Sequence, residues 1–165
     1  MVSVEHEYTF PDYVNDIDTM FMVLLYIRKY NKQEKVIFEQ YVDESNPKML
    51  CYHIQSETPM LMNIIHPHPF VKLNECININ NLTAGSIITT LVSNETSQKI
   101  EMKTTTKFTK QATGGIKAVT YFQMDLGTPS SKHLANLISK PFGIWYKSKS
   151  ARVRELELKI YNDLS

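Results

Sequence analysis

Hydrophobic positions alternate from the start of the chain. In "VSVEHEYTF", Val2, Val4, His6, Tyr8 and Phe10 share one side of an extended backbone, which predicts a strand. Pro11-Asp12 ends it, with Asp12 placed to cap a helix. Val14, Ile17, Phe21, Leu24 and Leu25 then recur at three- and four-residue steps, the stripe of an amphipathic helix ending near "RKYNKQ". Met20, Met22 and Val23 widen that stripe, so the helix is expected to be covered on more than one side.

After Lys35 the period becomes two. "VIFEQYVDE" and "MLCYHIQS" flank the turn signal "SNP" and predict an antiparallel pair. In "FVKLNECINI", Val71, Leu73, Glu75, Ile77 and Ile79 share a face, and "SIITTLVS" is a short apolar strand reached through Gly85. In "KIEMKTTTKFTK", Ile100, Met102, Thr104, Thr106 and Phe108 oppose a face of Lys99, Glu101, Lys103, Thr105 and Lys107. "IKAVTYFQMDL" repeats the pattern with Ile116, Ala118, Thr120, Phe122, Met124 and Leu126. The Gly-Gly of "KQATGGIK" supplies the positive φ angles of a hairpin between these two strands.

The last segment is helical. Gly127 ends the final strand, Thr128 or Ser130 offers a cap, and Leu134, Ile138, Phe142, Trp145, Val153, Leu156, Ile160 and Leu164 follow at helical steps that miss a beat at Lys149. Such a helix is about 45 Å long at its standard rise, enough to span a sheet, with Pro141 and Gly143 expected to bend or loosen it.

The predicted order is therefore strand, helix, six strands and a long terminal helix. With its most suggestive stretch, "GGIKAVTYFQMDLGTPSSKHLANLISKPFGIWYKSKSARVRELELKIY", it resembles the helix-grip fold of the START-like superfamily, which includes Bet v 1-type proteins, polyketide cyclases and lipid-transfer domains. The resemblance implies an α+β fold and a single domain over residues 1–165. A curved antiparallel sheet of about seven strands would wrap a long C-terminal helix, with one helix between strands one and two and a cavity between sheet and terminal helix. The Gly-rich loop of the Bet v 1 branch is replaced by "DESNPK". A lipocalin-like barrel fits less well, since its early Gly-x-Trp motif is missing and the single tryptophan, Trp145, lies in the last helix. An NTF2-like cone would begin with helices.

Composition narrows the function classes. The 165 residues are 42% hydrophobic and 21% charged with a net charge of +1, ordinary for a globular domain and without the basic excess of a nucleic-acid binder. No nucleic-acid partner is expected. "MFMVLLYI" is far too short to cross a bilayer, and "MVSVEHEYTF" does not read as a secretory leader. Cys51 and Cys76 are too few for a disulfide framework. The expectation is a cytoplasmic protein with free thiols.

Candidate chemistry is sparse. His66 and His68 sit two apart but lack the third and fourth ligands of a zinc site, so no metal or other cofactor is expected. Cys51 and His53 fall on one face of a strand, about 7 Å apart and too far for a dyad. Glu75 lies among apolar neighbours, either as a polar anchor or acid/base of a cavity, or in solvent if the register slips by one residue. The cavity reading assigns walls to Phe38, His53, Thr90, Met102, Thr104, Phe108, Thr120, Phe122, Leu137 and Trp145, with Glu75 and His53 orienting an apolar or amphipathic ligand. The Met-rich, Pro-bounded "PMLMNIIHPHPF" is expected to form a gate through Met60, Leu61, Met62, Ile64 and Ile65. Lys147, Lys149, Arg152 and Arg154 precede any acid in the last helix and are candidates for contact with an anionic surface. A cyclase- or hydrolase-type enzyme using Glu75 or His53, and a cavity-less interaction module, are the competing readings.

Overall fold

The computed structural model describes residues 2–30, 37–42, 49–57, 70–78, 84–93, 101–125 and 129–164. Within them, the side chains at 28–30, 37–42, 49, 54–57, 70–72, 129–136 and 138 lie outside the described part. β1 (Val2–Thr9) is followed by α1 (Ile17–Tyr30), β2 (Ile37–Val42), β3 (Met49–Glu57), β4 (Phe70–Asn78), β5 (Ser86–Ser93), β6 (Glu101–Lys110), β7 (Ile116–Asp125) and α2 (Pro129–Leu164). The seven strands form one sheet in the order β1-β7-β6-β5-β4-β3-β2, every neighbouring pair antiparallel. This is the expected element order.

Directly opposed residues in such a ladder share a face. One rung runs Tyr8–Ala118–Phe108–Ile87, and the next runs His6–Thr120–Thr106–Thr89–Ile77. A third joins Val4, Phe122, Thr104, Leu91, Glu75 and Tyr52. Most of these residues are buried, so this is the inward face, and α2 packs against it at β1. The β6–β7 hairpin turns at Gly114 and Gly115, with φ of 96° and 81°. A Cβ on Gly115 would meet the Phe10 carbonyl oxygen at 3.4 Å, and Phe10 N–H in turn donates to the Ile116 carbonyl at 2.9 Å. The hairpin is thereby tied to the end of β1.

The cap of α1 is Asp16, not Asp12. Asp16 Oδ1 accepts the N–H groups of Asp18 and Thr19 at 3.0 and 3.3 Å, and the Thr19 hydroxyl donates to Oδ2 at 3.0 Å. The residues after Pro11 instead close a turn, in which Val14 N–H donates to the Pro11 carbonyl. Ile17, Met20, Val23, Leu24 and Ile27 form the buried stripe of α1, whereas Met22 is 55% exposed and extends no second covered side.

Two apolar clusters hold sheet and helices together. In the first, α1 meets Ile77, Ile87, Phe108, Ile116 and Ala118 of the sheet and Tyr161 near the end of α2. In the second, Val2, Val4, Phe122 and Met124 meet Phe142 of α2, with Met102, Trp145 and Tyr146 packed at its margin. The expected free thiols are not found: Cys51 and Cys76 oppose each other across β3 and β4 and form a disulfide. Single-sequence counting had no means of placing them on one rung.

Candidate functional site

The two ends of the inward face differ in how completely they are covered. Around α1, Ile77, Ile87, Phe108 and Ile116 have 0 or 1% exposure. Toward the second cluster, Leu73, Leu91, Ser93, Met102 and Thr104 of the sheet and Trp145 and Tyr146 of α2 are only half-buried. Leu73, Leu91 and Thr104 are on inward rungs, and Ser93, opposite Leu73, accepts the backbone N–H of Met102 at 3.2 Å. The face is thus closed at the α1 end and partly open at the Met102–Trp145 end.

Aromatic rings of α2 and the sheet line this open end. Phe122 lies 5.2 Å from Phe142 and 4.6 Å from Tyr146 between ring centroids, and Phe142 lies 5.5 Å from Trp145. The Tyr146 hydroxyl donates to Thr104 Oγ1 at 3.4 Å. Burial raises the Tyr146 phenol above its ordinary pKa, against smaller lowering effects of the Thr104 bond and of Arg154. The ring therefore stays a neutral donor at physiological pH.

Between the clusters runs a polar band. Thr106 and Thr120, both buried and opposite each other, share a hydrogen bond of 3.1 Å. Thr89 and His6 extend their rung on either side. His6 Nδ1 is buried without a hydrogen-bond partner among the described residues. Burial, with Arg154 and then Lys147 nearby, lowers the His6 pKa. From α2, Ser150, Arg154 and Glu157 are all buried. Arg154 and Glu157 form an ion pair, and the Arg154 guanidinium stands 4.9 Å from the Phe108 ring centroid.

Several residues named from sequence occupy this region. Met102, Thr104, Phe108, Thr120 and Phe122 are on the inward face, and Trp145 faces them from α2. Glu75 is inward and 6% exposed, on the rung of Leu91 and Tyr52, so the register slip that would have put it in solvent does not occur. Phe38 opposes Ile54 in register, and its side chain lies outside the described part. The gate residues Met60, Leu61, Met62, Ile64 and Ile65 also lie outside the described residues.

Four assignments are corrected. His53 and Thr90 are on the opposite face, because their strand neighbours Tyr52 and Thr89 take the inward positions. His53 is exposed, with Nδ1 2.6 Å from Asn74 Oδ1, and is therefore no acid/base for an inward site. Leu137 is 64% exposed on α2. Arg154, expected on the outer surface with Lys147, Lys149 and Arg152, is 6% exposed and turned toward the sheet. Of the other three, Lys147 and Arg152 are exposed, while Lys149 is half-buried with its Nζ 5.3 Å from the Trp145 ring centroid.

Sequence patterning missed Ser150 and Glu157, and put Arg154 on the outer surface, because it took hydrophobic residues alone to mark the inward face of the helix. The phase that starts at Phe142 and advances by three or four residues lands on Tyr146, Ser150, Arg154, Glu157 and Tyr161. That phase carried the signal, since residues at this spacing share one helix face whatever their polarity.

No family model matches the chain, and no curated protein matches it. Solved structures do. TTHA0849 from Thermus thermophilus is similar at 13% identity over 99% of both chains, with a TM-score of 0.64. Human STARD10 is similar at 9% identity over 96% of this chain and 62% of its own, with a TM-score of 0.54. Zhui aromatase/cyclase from Streptomyces sp. R1128 is similar at 8% identity over 97% of this chain and 93% of its own, with a TM-score of 0.51. At such identities the likeness is one of fold. The chain has the helix-grip fold, START- or Bet v 1-like, that its element order resembled.

Proposed function

From this helix-grip fold, we propose that the chain binds an apolar or amphipathic small molecule, lipid-like in character, between the inward face of the sheet and α2. The observation that carries the reading is the unequal closure of that face. Leu73, Leu91, Met102, Trp145 and Tyr146 face inward yet keep part of their surface in solvent, while the α1 end is sealed. An apolar ligand laid along them would remove their exposed area and its own from water, at roughly 25 cal/mol per Å² before ordering costs. Thr104, Tyr146 and Glu75 supply a few polar groups beside an apolar wall, the composition expected of a small-molecule site. The likeness to an aromatase/cyclase adds a second class, in which the bound molecule is also transformed. For that reading Glu75 is the inward carboxylate to test, His53 being on the other face.

Native mass spectrometry of the purified chain, paired with thermal shift across fatty acids, sterols and phospholipids, tests the proposal. A co-purified mass or a saturable rise in Tm is expected, and its loss on changing Met102 or Leu91 to Glu would place the ligand on this face. A chain that arrives empty and melts unchanged with every compound overturns it.

A further inference from the structure

Among the described residues, Arg154 and Glu157 are the charged side chains that α2 buries toward the sheet, at 6% and 0% exposure. They are paired across one helical turn, and Arg154 stands over Phe108. A buried ion pair is a poor stabilising device. Its desolvation is repaid only in good geometry, and apolar residues of similar volume often do as well or better. Its place between two apolar clusters therefore asks for a use.

The pair is oriented along the site. Arg154 adds to burial in lowering the His6 pKa, and it also acts to lower that of Tyr146. Glu155 and Glu157 instead add to burial in raising Tyr8. Tyr8 packs against the sealed cluster, His6 lies one inward rung closer to the open end, and Tyr146 lines that end. Along α2, Phe142 and Tyr146 at the open end come first, then Ser150, Arg154 and Glu157, and last Tyr161 of the sealed cluster. Arg154 is thus the member of the pair nearer the open part of the face, its guanidinium standing over the Phe108 ring. Hydroxyls and a ring nitrogen lie in the same band: Thr106 and Thr120, Ser150 one turn before Arg154, and His6 with its buried Nδ1.

We infer that the inward face takes an amphipathic acid, its carboxylate received by Arg154 within the band of His6, Thr106, Thr120 and Ser150, and its apolar body lying along Leu91, Met102 and Trp145. The inference rests on the binding function proposed above and adds the chemical class of the ligand. A carboxylate meets a guanidinium in charge-assisted, geometrically matched hydrogen bonds that an alcohol of equal length does not make. An amine would be repelled at this end and drawn to Glu75.

Titration of the full chain near neutral pH with dodecanoate, dodecanol and dodecylamine, followed by calorimetry and by the fluorescence of the single tryptophan, tests this. Dodecanoate is expected to bind about tenfold or more tightly than dodecanol. The Arg154→Gln/Glu157→Gln double variant removes both charges together and leaves neither buried alone. In it the acid and the alcohol are expected to bind alike. Equal affinity of wild type for acid and alcohol, or preference for the amine, overturns the acid inference while leaving the binding function standing. So does an acid preference that persists in the double variant. Failure of all three probes to bind overturns the acid inference, and the binding function stands or falls by the wider panel of fatty acids, sterols and phospholipids. The comparison of probes on the wild-type chain needs no variant to fold.

Discussion

The hydroxyl of Tyr161 accepts the backbone N–H of Asp16 at 3.2 Å, across 145 residues of sequence. Asp16 is itself the cap of α1, so one hydrogen bond joins the start of the first helix to the last turns of the second. Asp16→Ala is expected to lower unfolding free energy by about 1 kcal/mol through loss of the cap. Tyr161→Phe is expected to cost about 1 kcal/mol because the bonded hydroxyl is removed from a buried ring. Urea unfolding of the two single variants checks both values.

The Thr106–Thr120 bond provides a cleaner test of pairing. Either single Thr→Val change leaves the other hydroxyl buried without this partner and is expected to cost about 1–3 kcal/mol. The double variant removes both hydroxyls and is expected to cost less than the sum of the single changes. A double-mutant cycle by chemical denaturation measures the difference. Strict additivity would show that the bond contributes nothing.

Phe122 joins the sheet to α2 through its contacts with Phe142 and Tyr146. Phe122→Ala is expected to cost about 3–5 kcal/mol, since both the transfer of the ring and the cavity left behind oppose folding. Differential scanning calorimetry is the measurement. A change within the spread of surface substitutions would mean that the aromatic cluster does not hold the helix.

His6 makes stability depend on pH in a stated direction. Burial, Arg154 and Lys147 lower its folded pKa below the ordinary 6.5, so the unfolded chain takes up this proton more readily than the folded one. The contribution is fully present above 6.5 and is lost as pH falls from there through the lowered folded value. His6→Gln should therefore flatten the acid limb of the curve of Tm against pH over that window. Parallel curves for wild type and variant would refute the assignment.

The disulfide joins cysteines 25 residues apart in sequence, on β3 and β4. Loop-closure entropy puts its contribution at about 3 kcal/mol. The Cys51→Ser/Cys76→Ser chain and the reduced wild type should both show an earlier urea midpoint, by similar amounts. An unchanged midpoint on reduction would show that the bridge does not constrain the unfolded chain.

Element type and order were already determined in the sequence, because period and punctuation are local properties. Strict alternation at Val2–Phe10, at Met102–Phe108 and at Ile116–Met124 assigned both the strands and their inward faces, and Gly114-Gly115 marked the hairpin. Alternation put Glu75 on the face of Leu73 and Ile77 but left a slip of one residue open, and the pairing of β4 with β3 and β5 decided that it lies inward. Where alternation fails, the sequence is silent about facing. "SIITTLVS" has apolar or hydroxyl residues at both parities, and only the pairing of Ile87 with Phe108 puts Thr89 inward and Thr90 outward. "MLCYHIQS" is equally ambiguous until Tyr52 meets Glu75, which turns His53 and the disulfide to the other side. The last helix misled for a different reason. A hydrophobic stripe locates a core only when every inward position is apolar, and here Ser150, Arg154 and Glu157 complete the inward face. The helical phase of Phe142 and Tyr146 puts the charged pair on their face of α2, but that this pair is buried was decided by tertiary structure. Its burial depends on the sheet that α2 crosses and on the pairing of two side chains with each other, and neither is a property of the residues taken one at a time.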